Sequence, residues 1–400
     1  MIVTTSANRT GFLLILAIAL VIVIFGVIWN PTKDGVLSGA TLAPDTLVAR
    51  VLSTQPYSDA LRGLLQATRA DPTNLPAAKA AARATIDAGR DMGDSRMVGA
   101  SLGILRPFLD APDSETLYLA ATARQYQHDF QGALKLLDQA LQMDPADVNA
   151  RLTRATIQTV LGDYTRAQDD CKALQATRGV AFLCQATTLL MTAQASALAK
   201  RLTLILDHPE LMDPNLRPWA LGLLGELAQL SGDNAKARDY LQQVLTLTPK
   251  SIRDRLILAD LMLQDGLADQ VAPLLKDSPT TDGVLIRRIL AAQALNTDSA
   301  TDRADLAKRF QLNLDLGLTA HAREEARYFL EIAHDPTLAL QRAQVNWNLQ
   351  HEFEDAQLLI ATALNAGQPA AAKPVLDWAK EQNVTAPALH LDDLAKRLAP

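Results

Sequence analysis

The sequence predicts an all-α solenoid of helical hairpins, preceded by a single N-terminal transmembrane helix. Three observations carry that reading. Residues of matching type recur at a spacing of 34: Asp129 and Asp163, Phe130 and Tyr164, Ala133 and Ala167, Ala121 and Ala155. A fixed period of that size marks a stacked helix–turn–helix unit. Aromatic residues make up only 4% of the 400, and alanine and leucine abound, a balance that favours helix over sheet. Gly11–Trp29 is a run of 19 residues without a charge.

That run reads GFLLILAIALVIVIFGVIW. At about 1.5 Å per residue it is long enough for a hydrocarbon core of about 30 Å. Trp29 at its end suits the interface. A cleaved signal peptide is the competing reading, but WNPTKDG follows where a small-x-small cleavage site would stand. No Cys follows within the next segment to take a lipid. Arg9 precedes the run, and Lys33 and Arg50 come after it. The positive-inside rule then favours a cytoplasmic N-terminus and an exported remainder, with the opposite topology as the alternative.

The expected organisation is an N-terminal tail over 1–10, the anchor over 11–29 and a tether over 30–43 rich in Gly, Pro and small polar residues. Repeats fill 44–316. Degenerate repeats and a capping helix fill 317–400. Net charge is −6; residues 1–30 carry only Arg9, so residues 31–400 carry −7. No basic run appears, which argues against a nucleic-acid partner.

A first unit can be laid on 41–74, with Ala60, Leu64, Ala67 and Pro72 in the repeating places. The next, 75–113, is looser and reads as helices over 76–88 and 95–109. The best units are 114–147 and 148–181. Each puts a small residue at the middle of its first helix (Ala121, Ala155) and another early in its second (Ala133, Ala167). Antiparallel helices approach to about 8–10 Å, and the near end of that range needs small side chains at the contact. Residues 182–217 are degenerate. The pattern returns over 218–251 with Gly225, Ala237, Leu241 and Pro249, then loosens over 252–296, where Val271 stands in an alanine place. One long helix follows within 297–316. Further helices are expected near 320–333, 336–349, 353–365 and 369–381, before a closing helix in HLDDLAKRLAP.

On these residues the chain resembles the tetratricopeptide repeat family. The stretch ALQRAQVNWNLQHEFEDAQLLIATALNAGQPAAAKPVLDW also resembles the C-terminal region of bacterial membrane-anchored proteins of that family. The resemblance implies a stack of helix pairs that binds other proteins. It implies a groove lined by the second, fifth, ninth, twelfth and thirteenth places of each first helix. In one unit these are Glu115, Tyr118, Thr122, Gln125 and Tyr126, and in the next Asn149, Leu152, Thr156, Thr159 and Val160. In the unit from Pro218 they are Trp219, Gly222, Glu226, Gln229 and Leu230. Tyr118 and Tyr126 have a second reading, as packing residues between repeats. The Lys/Asn/Arg clamp with which chaperone-binding members grip a terminal carboxylate is absent from these places.

No catalytic signature stands: there is no GxSxG, HExxH, Walker loop or dinucleotide fingerprint after a strand. No cofactor and no metal are expected. The acids beside His351 in HEFED read as a solvated helix start, favoured there by the helix dipole. Cys171 and Cys184 sit equidistant from the turn at Thr177–Arg178, level with each other on neighbouring helices. Two readings stay open: buried free thiols, or a disulfide in an oxidising compartment. The expected function is a membrane-anchored scaffold or assembly factor that binds another protein and supports a membrane or periplasmic complex. Its expected place is the bacterial inner membrane, single-pass, with the lipid bilayer as a partner through the anchor. The alternatives are a released periplasmic peptide-binding protein and an enzyme with an unrecognised site.

Overall fold

The computed structural model describes residues 59–92, 95–174 and 177–398, all within one compact unit, Tyr57–Pro400. The expected anchor Gly11–Trp29, the tether and the first helix of the first repeat lie outside the described residues. Among the described residues no helix is long and apolar enough to cross a membrane. They form an all-α stack of antiparallel pairs, and the only β pairing among them is an isolated bridge between Thr192 and Val384.

The helices are α1 (Asp59–Ala70), α2 (Leu75–Met92), α3 (Ser95–Leu105), α4 (Ser114–Tyr126), α5 (Phe130–Met143), α6 (Val148–Val160) and α7 (Tyr164–Ala173). There follow α8 (Arg178–Leu189), α9 (Ala195–Asp207), α10 (Arg217–Leu230), α11 (Asn234–Leu247), α12 (Ile252–Gln264), α13 (Ala268–Leu275), α14 (Asp282–Leu295) and α15 (Ala300–Asp315). The C-terminal set is α16 (Ala322–Glu331), α17 (Pro336–Trp347), α18 (Phe353–Asn365), α19 (Lys373–Glu381) and α20 (Leu391–Leu398). The helix expected to reach 109 stops at Leu105 and continues as a 3-10 turn over Arg106–Phe108, because Pro107 lacks the amide that would extend the α ladder.

Aspartates set the helix starts with the repeat's own period. Asp113 and Asp147 accept from the amides of Thr116 and of Asn149 and Ala150, capping α4 and α6. Asp129 and Asp163 do the same for α5 and α7 through Gly132 and Arg166. A side-chain oxygen in that place satisfies an amide that has no partner within the helix. Inside each hairpin the small residues are sealed: Ala121, Ala133 and Ala167 are fully buried and Ala155 nearly so. Phe130 and Tyr164 fill the space between pairs. Ala133 packs among Leu117, Leu137, Leu141 and Ile157. Ala133→Leu is therefore expected to overpack the α4–α5 contact and destabilise by about 1–3 kcal/mol; an unchanged melting temperature of the full chain would contradict this register.

Cys171 and Cys184 are joined, with Cα atoms 5.4 Å apart, so the bond ties α7 to α8. After α15 the chain does not simply extend the stack. It returns to the first-helix face of earlier repeats. Arg327 on α16 reaches Asp260 on α12 at 3.1 Å. The His351 amide donates to the Val160 carbonyl at 2.7 Å, and the Thr385 amide to the Met191 carbonyl at 2.7 Å. The largest core cluster accordingly joins Leu190, Leu223 and Leu230 of the repeats to Trp347, Phe353, Val375 and Trp378 of the C-terminal helices.

Candidate functional site

Between the first helices of the middle repeats and the returning chain lies a cavity of about 610 Å³. Its walls come from α6, α8, α10 and the start of α12, and its edge is the α17–α18 turn, His351 to Glu354. Four of the five α6 places named above line it (Leu152, Thr156, Thr159 and Val160), and so do all five of α10, Trp219, Gly222, Glu226, Gln229 and Leu230. The geometry follows from the hairpin stack, in which one helix of every pair faces inwards and residues three or four apart share a face.

The other candidate residues are placed differently. Asn149 is exposed but does not line the cavity. Glu115 is tied to α2 by Lys79 at 2.7 Å and Arg83 at 2.5 Å. The Tyr126 hydroxyl accepts from Arg90 Nε at 2.8 Å, with the guanidinium also over its ring. Tyr118 and Gln125 are half-buried, and Tyr118 packs on the α4–α5 core. Thr122 is 1% exposed and its hydroxyl donates to the Tyr118 carbonyl at 2.9 Å, so it is a packing residue and not a groove contact.

HEFED corrects the expectation of a solvated helix start. Glu352 and Asp355 form a reciprocal cap on α18. Arg323 from α16 donates to Asp355 at 2.6 Å and to Glu352 at 2.5 Å, and Asn346 adds a bond to Asp355 at 2.6 Å. Burial works to discharge Arg323, but Asp355 and Glu352 outweigh it and hold the guanidinium charged, well above its ordinary range. The composition of the motif could not show this, because its partner lies a hairpin away. His351, whose Nδ1 meets the Leu161 carbonyl at 2.8 Å, seats the whole turn on the end of α6.

Five charged side chains line the cavity: Glu226, Arg253, Asp254, Glu352 and Glu354. Arg253, with 59% of its side chain exposed, pairs with Glu226 at 2.9 Å. That carboxylate raises the guanidinium above its ordinary value. Glu354 has no ion pair within the described residues, and its carboxylate is met only by its own backbone amide. Burial, and then the like charge of Glu352, push its carboxyl up to about 7, against the opposing pull of Arg323 and Arg253. The Tyr164 hydroxyl is also buried at the wall, without a hydrogen-bond partner among the described residues.

A raised carboxyl binds its proton in the folded chain where the unfolded chain has already lost it. Stability contributed here is thus present at low pH and falls as pH rises from about 4.5 to about 7. Glu354→Gln is expected to melt like the wild type at pH 4.5 and to melt higher than it at pH 8. An equal difference at both pH values would contradict the burial of this charge. Among the described residues no cluster of His, Cys, Asp or Glu is arranged to hold a metal ion.

A family model described as "Tetratricopeptide repeat" matches residues 126–177, which span α5, α6 and α7. That match, on residues 126–177, supports the tetratricopeptide repeat superfamily. Solved structures of similar architecture include a Rap protein complexed with competence and sporulation factor, at 12% identity over 88% of this chain and 92% of that one, TM-score 0.48. Yeast Tom70 is similar at 12% identity, covering 84% and 88%, with a TM-score of 0.36. A tetratricopeptide repeat protein from Parabacteroides merdae is similar at 17% identity, covering 71% and 98%, with a TM-score of 0.28. No curated protein matches the sequence. A tetratricopeptide stack is a protein-interaction scaffold, because its inward helices make an extended concave surface.

Proposed function

We propose that this tetratricopeptide protein is a membrane-anchored scaffold or assembly factor that holds a segment of another protein in the cavity between α6, α8, α10 and the α17–α18 turn. The convergence of Thr156, Thr159, Trp219, Glu226 and Gln229 on one cavity carries the reading. Mixed aromatic, amide and charged linings suit a peptide, with apolar area for affinity and a few polar groups for orientation. The uncharged run Gly11–Trp29 with Arg9 before it supports an anchor in a bacterial inner membrane and a periplasmic repeat region. The joined cysteines support export, since disulfides persist in oxidising compartments. A reporter fused at residue 400 should read as exported; a cytoplasmic signal would reverse the localisation.

Partner binding is tested by Trp219→Ala. Aromatic anchors at hot spots contribute about 2 kcal/mol or more, so recovery of the partner from crosslinked membranes should fall by about ten-fold or more. Full recovery by a variant with wild-type circular dichroism and melting would place binding elsewhere.

A further inference from the structure

We propose that the cavity receives a lysine or arginine side chain carried on an apolar stretch of the partner, with Glu354 as its counter-charge. This deepens the assignment of the cavity as the partner site and rests on it. Among the described residues, Arg253 is the one Arg or Lys that lines the cavity, and both it and Arg323, which pairs with Glu352 of the edge, are already matched. Arg253 has Glu226 at 2.9 Å and Asp254 at 3.9 Å, and Arg323 has Asp355 and Glu352. Among the described acidic residues lining the space, Glu354 is the one with no cation within ion-pair distance, and it stands beside Glu352. An incoming carboxylate would meet an excess of its own sign, whereas a cation completes the set.

The second observation is Tyr164. It is 5% exposed, lines the cavity, and its hydroxyl makes no hydrogen bond within the described residues. A buried hydroxyl without a partner is costly unless a ligand supplies one. Its oxygen can accept from an ammonium or guanidinium. Trp219, Leu152 and Leu223 offer apolar area for the flanking side chains. The raised carboxyl of Glu354 agrees with this site. A buried acid that resists ionising alone is stabilised as the anion once a cation arrives.

The test uses the full chain in detergent and a degenerate library of octapeptides, acetylated and amidated so that only side chains carry charge. Peptides recovered by the wild type should carry Lys or Arg beside apolar residues. Replacing that lysine by Nε-acetyl-lysine in a recovered peptide should weaken binding to the wild type by about ten-fold or more. Glu354→Gln, close to isosteric, should lose the basic preference, and Glu354→Asp should keep part of it. Recovery without charge preference, an acidic preference, or an unchanged basic preference in Glu354→Gln would each overturn the inference and leave peptide binding standing. If the wild type recovers no peptide, the inference falls. Trp219→Ala then decides the broader reading: lost partner recovery leaves the cavity as the partner site, and unchanged recovery removes both.

Discussion

Trp378→Ala is expected to destabilise the C-terminal helices by about 3–5 kcal/mol, the range for deleting a buried Trp side chain. Trp378 is 7% exposed and holds two separated parts of the chain together. Its ring meets Trp347 edge-on with centroids 5.4 Å apart and Tyr164 at 6.2 Å. It also lies against Gly162, which adopts φ +76 after α6, where a Cβ would stand 2.5 Å from the indole nitrogen. That position requires glycine twice over, for its backbone and for the approach of the ring. Removing the indole leaves a void between the α6–α7 turn and α19 that rigid neighbours fill only in part. A long repeat array does not unfold as one unit, so the local readout is hydrogen exchange. Amides of α18 and α19 should exchange at least about a hundred-fold faster. Exchange within a few-fold of the wild type would mean that the C-terminal helices stand without this contact.

Arg323→Ala is expected to have a similar effect by a different route. Asp355 has a side chain with no exposure, and Arg323 is its main charge partner. Breaking a buried pair from one side leaves a stranded charge and costs about 3–5 kcal/mol. Without the guanidinium, Asp355 and Glu352 hold protons in the folded state at pH values where the unfolded chain has released them. The deficit of the variant should therefore shrink as pH falls from 7 towards 4, which loss of a mere packing contact would not do. A deficit that stays constant over that range would contradict the electrostatic origin.

The repeat core was legible because its signals are local. Ala133 and Ala167 declare close helix contacts by their size, and Asp129-Phe130 and Asp163-Tyr164 declare a helix start and a wedge, one period apart. The inward places on α6 and α10 were legible for the same reason: once hairpin register is known, a helix has only one inner face. Three features were not. Thr122 looks polar, but its hydroxyl bonds back to its own helix, so residue type gave no sign of burial. HEFED looked solvated because Arg323, which neutralises it, lies about thirty residues earlier. The return of the C-terminal helices has no periodic signal at all, since contacts such as His351 with the Leu161 carbonyl join residues 190 apart.

On the proposed function, the partner enters the cavity rather than packing on the outer helices. A photo-crosslinking amino acid at Thr156, an exposed residue on the cavity wall, tests it against the same group at Arg166, exposed on α7 and not part of that wall. Irradiation of intact membranes should give one partner adduct from position 156 and none from 166. An adduct from 166 without one from 156 would contradict the account, and move partner binding to the outer face of the stack.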